Sequence, residues 1–207
     1  MKSELFVPIE AKAEYVIEKS KFLSFCYYVD SKDRIQTILK DLRRDYLDST
    51  HICYAYRLLD ESLNEYACGT LGFSQSYFDD GEPSGTAGAP ILRAIEESDM
   101  YNALVVVVRY FGGIKLGAAG LTRAYHESAQ MSIKTSKKSL MKIYSITCDY
   151  AMINKIINFC ETSNGKILTR DFGEKATFEI GILENVEVPI SISQNANVTF
   201  MGNKYLW

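Results

Sequence analysis

Histidine is scarce in this chain: His51 and His126 are the only two among 207 residues. Neither lies in a metal-ligating pattern or beside a recognisable nucleophile motif, and no G-x-S-x-G occurs. The five cysteines (Cys26, Cys53, Cys68, Cys148 and Cys160) are odd in number and contain no C-x-x-C pair. That excludes a disulfide frame and the common zinc patterns, and it reads as reduced, buried thiols. No apolar run approaches the roughly 18 residues that a membrane span needs. Glu4, Glu10, Glu14 and Glu18 interrupt the first apolar stretches, unlike a secretory signal. These absences predict a cytoplasmic protein with no membrane partner. A strong charge of one sign is missing too. The net charge is −3; residues 1–135 carry 15 Lys+Arg against 19 Asp+Glu, and residues 136–207 carry 8 against 7. Any basic site must therefore be local.

Two glycine-rich segments are what the chain does have. The first is Asp79-Asp80-Gly81-Glu82-Pro83-Ser84-Gly85-Thr86-Ala87-Gly88; the second runs from Arg109-Tyr110-Phe111-Gly112-Gly113 through Lys115 and Gly117 to Gly120. Neither matches G-x-x-x-x-G-K-[ST] or G-x-G-x-x-G, so a nucleotide-binding fold is not supported. Each delivers the chain into a segment of helical character. Free backbone N–H groups at such helix starts attract anions. Between the two segments lies one apolar strand, Ala103 to Val108, whose lack of alternation predicts cover on both faces.

Around these segments the pattern predicts an α+β arrangement. Strands are expected at Ala13–Lys19, Phe22–Val29, His51–Leu58 and Tyr66–Phe78, with helices after Ser31, near Ala89–Ser98 and from Ala118 to Ile133. In the strand from His51, Ile52, Tyr54, Tyr56 and Leu58 point one way and His51, Cys53, Ala55 and Arg57 the other. The polar run Lys134–Ser139 reads as a linker, giving units at 1–135 and 142–207 with residues 136–141 between them. In the second unit a strand at Ile143–Tyr150, a helix carrying Ile153, Ile156, Ile157 and Cys160, and strands at Ile167–Phe172, Ala176–Leu183 and Val198–Phe200 suggest a βαββαβ domain. Its second helix is the poorest match, because the tail from Val186 is rich in β-branched residues.

Several readings of the first segment stay open. Ser84 or Thr86 would cap the following helix or grip an anion. Asp79, Asp80 and Glu82 would hold a hard cation or pair with nearby cations. Arg109, Lys115 and Arg123 are suited to phosphate, and their bland alternative is a salt bridge to that same acidic loop. His51 is expected as a hydrogen-bonding residue at a strand edge. Tyr110 is left as a stacking or a packing residue, whereas Tyr54 and Tyr56 are expected in the core.

His51-Ile52-Cys53-Tyr54-Ala55-Tyr56-Arg57, the run Asp79–Gly88 and the run Arg109–Tyr125, with Lys19-Ser20-Lys21-Phe22 ahead of them, together resemble the IMPACT (YigZ-type) family. The likeness is strong over the first 135 residues. It implies an N-terminal domain with the fold shared by a ribosomal-protein domain and domain IV of elongation factor G, followed by a ferredoxin-like domain. It further implies translation regulation by a non-catalytic protein with RNA, a ribosome or a translation-associated protein as partner, and no cofactor. The anion- or nucleic-acid-binding set expected from the residues themselves is His51, Arg57, Ser84, Thr86, Arg109, Tyr110, Gly112, Gly113, Lys115, Gly117, Gly120 and Arg123. The alternatives are a protein-interaction module without RNA binding and a metal-assisted enzyme acting on a small phosphorylated substrate. The chain departs from the family pattern at Ala118-Ala119-Gly120, where alanine followed by two glycines is usual.

Overall fold

The computed structural model describes residues 4–59 and 72–207. They form two compact units, one of residues 6–137 and one of residues 138–207 with the N-terminal end of the chain up to Leu5. After a short first strand, β1 (Glu4–Pro8), the first unit builds a five-stranded antiparallel sheet from β2 (Ala11–Ile17), β3 (Ser20–Tyr28), β4 (His51–Leu59), β5 (Phe73–Phe78) and β6 (Ala103–Tyr110). Its order is β2-β3-β6-β4-β5. The part of the expected Tyr66–Phe78 strand before residue 72 lies outside the described residues.

The middle strand β6 is buried from Ala103 to Arg109. Leu104, Val106 and Val108 pack with Ile35, Ile38, Leu39 and Leu42 of helix α1 (Lys32–Asp45). The alternate residues Ala103, Val105 and Val107 pack under helices α2 (Gly88–Glu97) and α3 (Gly117–Ser132). Helices thus cover both faces, as the unbroken apolar run of β6 predicts. Helix α1 forms where Ser31 accepts a hydrogen bond from the Arg34 N–H at 3.3 Å, ahead of apolar residues at helical spacing. Strand register places His51 opposite Arg109, and Arg57 opposite Ala103.

The second unit contains β7 (Thr135–Cys148) from Lys138 onward, α4 (Ile153–Thr162), β8 (Lys166–Phe172), β9 (Ala176–Leu183), α5 (Ile190–Ser193) and β10 (Ala196–Leu206). Its five-stranded sheet has the order β1-β7-β9-β8, with β10 also pairing with β7. Ile146, Phe178, Ile180 and Ile182 form its core with Ile156 and Cys160 of α4. The second helix is a single turn, in keeping with its β-branched sequence. Residues 136–141 lie within β7, where Ser139 pairs with Leu206 and the Lys138 ammonium lies 4.5 Å from the Trp207 ring centroid. Among the described residues no helix is long and apolar enough to cross a membrane.

Candidate functional site

The two glycine turns meet at one end of the first unit's sheet, and buried polar contacts join them. In the first turn the cap of α2 comes from Asp79. Its Oδ1 accepts the N–H groups of Ala87 at 3.1 Å and Gly88 at 2.7 Å, while Oδ2 accepts that of Gly85 at 2.9 Å. The donors that would attract an outside anion are therefore filled by the protein's own carboxylate. Thr86 donates its hydroxyl to the Pro83 carbonyl at 2.6 Å instead of capping the helix, and Ser84 is exposed. Asp79→Ala should lower stability by about 2 kcal/mol, the upper end for loss of a helix cap. A urea titration should show a lower midpoint at unchanged slope.

Asp80 ties the same turn to β4: its Oδ2 accepts the Ile52 N–H at 2.7 Å. Its carbonyl oxygen lies 2.7 Å from Nδ1 of His51. A carbonyl only accepts, so Nδ1 carries the proton and Nε2 is directed elsewhere. That nitrogen is 3.8 Å from Glu82 Oε1.

Glu82 is the junction of the two turns. Its Oε1 accepts from Arg109 Nη1 at 2.5 Å and from the Tyr125 hydroxyl at 2.7 Å. The side chains of Glu82 and Arg109 are 4% and 5% exposed. Arg109 also reaches Ser20 Oγ at 3.4 Å and lies within 5.5 Å of the Phe22 and Phe111 ring centroids. Arg109 is thus engaged inside the protein, neutralised by a carboxylate, and is not a surface cation. Burial raises the Tyr125 hydroxyl far above its ordinary value, with Cys53 and Glu82 adding to the shift, so it remains a donor to Glu82. Among the described residues no group of three His, Cys, Asp or Glu is arranged to hold a metal ion. Both carboxylate oxygens of Asp79, Oδ2 of Asp80 and Oε1 of Glu82 accept from protein donors.

Cys53 donates to the Asp79 carbonyl at 3.0 Å, and burial pushes its thiol up to about 12. Burial pushes the Cys26 thiol up to about 12 as well. Both should resist iodoacetamide in the folded protein near pH 8, since the thiolate is the nucleophile. The unfolded thiols ionise near 9. Because the folded values are raised, their contribution to stability is intact below pH 9 and falls as pH climbs toward 12. Alkylation of both thiols at pH 8 at the rate of a free cysteine would contradict this placement.

The second turn is open where the first is closed. Gly112 donates its N–H to Ser20 Oγ at 3.2 Å and packs against the Lys19 backbone. Gly113 and Gly117 take φ of +85° and +69°, and beyond each lies open space. The conformation is one that L side chains rarely adopt. Tyr110 donates its hydroxyl to Asp48 at 2.9 Å, which makes it an anchor of the turn. Helix α3 then starts at Gly117 with no side-chain cap. Its first turn is mostly exposed, beside exposed Phe111, Ile114 and Lys115; Gly120 is half-buried against Leu116. Lys115 and Arg123 are exposed and have no ion-pair partner among the described residues.

Arg57 is elsewhere. Six residues along β4 from His51, about 20 Å away, it is sandwiched between the Phe73 and Tyr101 rings at 4.3 and 4.0 Å. It donates to the Tyr101 hydroxyl at 3.1 Å. Ser20 and the hydroxyl of Tyr125 are the site groups that motif reasoning passed over, although both lie within the stretches that carry the family likeness.

A model of the Impact N-terminal domain matches residues 18–133, and a domain of unknown function (DUF1949) matches residues 146–188. The chain belongs to the IMPACT family. IMPACT family member YvyE of Bacillus subtilis is 34% identical over 174 residues, covering 83% of this chain and 76% of that protein. An IMPACT family member of Haemophilus influenzae is 31% identical over 88% of this chain and 86% of its own length. YigZ of Escherichia coli is 32% identical over 75% of this chain and 74% of its own length. A crystal structure of a hypothetical protein superposes with a TM-score of 0.59 at 26% identity, covering 88% of this chain and 86% of the other. The two-unit α+β architecture with antiparallel sheets agrees with this IMPACT organisation.

Proposed function

We propose that this IMPACT protein is a cytoplasmic, non-catalytic translation regulator that docks on ribosomal or other RNA through its second glycine turn. The observation that carries the reading is the contrast between the two turns. Asp79 occupies the N–H groups of the first, whereas the second exposes an uncapped helix start with Lys115 on one side and Arg123 further along α3. Phosphate oxygens suit that combination of N–H donors, helix dipole and cations. Gly113 and Gly117 leave room for a phosphate backbone to approach closely. Glu82 and Arg109 then serve as the rigid floor that holds the turn in place. The pairing of β7 with β10 and β9, and of β9 with β8, with α4 and the single turn α5 as crossovers, supports a ferredoxin-like assignment for the second unit. The domain boundary we assign falls inside β7.

The test is co-sedimentation of the purified chain with ribosomes at low salt, beside Lys115→Ala/Arg123→Ala. The double variant should fold normally, since both side chains are exposed, and should lose most of the association. Association equal to that of the unaltered protein would sink the assignment of the surface. No association of the unaltered protein would move the function to a protein partner.

A further inference from the structure

The face of the first sheet opposite the glycine-turn network carries an aromatic row that this network does not use. On β4, Tyr54 and Tyr56 point to the side covered by α1, and Tyr54 lies directly opposite Phe78 on the edge strand β5. The Tyr54 and Phe78 rings sit 5.6 Å apart at 35°, and Phe78 is 44% exposed. Tyr56, half-buried, faces only Ser76 across the strand pair. Among the described residues neither the Tyr54 nor the Tyr56 hydroxyl has a hydrogen-bond partner. Helix α1 covers Leu104, Val106 and Val108 of the neighbouring strand, and beside it the row runs from half-buried Tyr54 and Tyr56 to exposed Phe78 at the sheet edge.

The flank of α1 that carries Arg43 is basic. Burial raises the Tyr54 phenol and the Arg43 guanidinium opposes that rise, so Arg43 is within electrostatic reach of it. Gln36 and Lys32 precede Arg43 by seven and eleven residues and so lie on its flank of α1, within about 20° around the axis. All three are exposed, and Lys32 and Arg43 have no ion-pair partner among the described residues. Of the three acids of α1, Asp33 is exposed in the first turn and the other two are engaged away from this flank. Asp41 and Asp45 both pair with Arg44, and Asp45 lies near Tyr27 on the far flank. Asp80, whose charge also acts on the Tyr54 phenol, accepts the Ile52 N–H.

From this juxtaposition we infer that the surface formed by α1 and β4–β5 binds a single-stranded polynucleotide. Bases stack on Phe78, Tyr54 and Tyr56 while Arg43 and Lys32 follow the phosphates. Aromatic rows beside cations suit unpaired bases, because every base offers a π-face whatever its sequence. The surface is separate from the second glycine turn, so either assignment can fail without the other.

Fluorescence anisotropy of the full chain with short labelled oligouridylate and oligothymidylate at low salt tests this. Both should bind if the rings read only stacking; binding of the RNA alone would add a 2′-hydroxyl contact to the same surface. Phe78→Ala and Tyr54→Ala should each weaken binding by about tenfold or more. Arg43→Ala should reduce the salt slope by about one. Lys115→Ala/Arg123→Ala should leave oligonucleotide affinity in place, which separates this result from the ribosome test. Tyr54 is half-buried, so cross-linking of 5-iodouracil-bearing oligonucleotide to the unaltered protein provides a second readout. Adducts on Tyr54, Tyr56 or Phe78 support this surface. Adducts only elsewhere, an unchanged affinity for Phe78→Ala, equal competition by duplex DNA, or no oligonucleotide binding would each overturn it.

Discussion

Glu82→Ala should destabilise the protein by about 3–5 kcal/mol, the cost of leaving a buried charge without its partner. Arg109 is 5% exposed on its side chain and has no other carboxylate within ion-pair distance among the described residues. Its Nε already lacks a partner there, and the variant would strand the guanidinium charge as well. The Tyr125 hydroxyl would lose its acceptor in the same step. Glu82→Gln should cost less, because the amide oxygen can still accept while the charge is lost. Glu82→Leu/Arg109→Met should be more stable than Glu82→Ala, since removing both charges together leaves nothing to compensate. A domain of this kind has about 5–15 kcal/mol of stability in total, so the single variant should be near its folding limit at physiological temperature. Urea unfolding of the unaltered protein, Glu82→Leu, Arg109→Met and Glu82→Leu/Arg109→Met closes a double-mutant cycle that measures the coupling. A Glu82→Ala cost below about 1 kcal/mol, well under the buried-pair range, would show that the pair does not hold the turns together.

Gly112→Ala should be the most damaging of the glycine substitutions in the second turn, at about 3 kcal/mol or more, the upper range for forced overpacking. A Cβ there would collide with the Lys19 carbonyl and the Ser20 nitrogen, which are backbone atoms that cannot swing aside. Lys19 is itself held at φ +62° in the hairpin turn between β2 and β3, and Glu18 at +47°. Moving either strand would also break the Gly112–Ser20 hydrogen bond that supports Arg109. Gly113→Ala meets open space and pays only for its positive φ, about 1–2 kcal/mol. The ordering Gly112→Ala worse than Gly113→Ala should appear in thermal melts of the two variants. Equal melting temperatures would mean that the close approach at Gly112 relaxes without cost.

Local patterns in the sequence made much of this fold legible. The unbroken apolar run of β6 signals cover on both faces, and the alternation from His51 to Leu58 assigns each β4 side chain to its layer. Helix α1 announces itself through Ser31 and the spacing of Ile35, Ile38, Leu39 and Leu42. The site was less legible because its decisive contacts join residues far apart in the chain. Asp79 caps a helix whose N–H groups lie eight and nine residues ahead, where propensity points instead to Ser84 or Thr86. The Glu82–Arg109 pair spans 27 residues. Acidic and basic loops announce that such a pair can form but not that it will be buried. Tyr54 and Tyr56 read as core residues because their neighbours are apolar. Only the placement of α1 over β6 leaves the outer part of that face half-covered. The polar start of β7 pairs with β10, far along the chain, which no local pattern announces.

The salt dependence of ribosome binding tests the central claim most directly. Affinity of the unaltered chain should fall steeply as salt rises, because each phosphate contact releases counterions. Lys115→Ala/Arg123→Ala should bind more weakly at low salt, with a slope shallower by about two, one for each phosphate contact removed. Parallel slopes for the two proteins, or an affinity indifferent to salt, would contradict an RNA-docking surface at the second glycine turn.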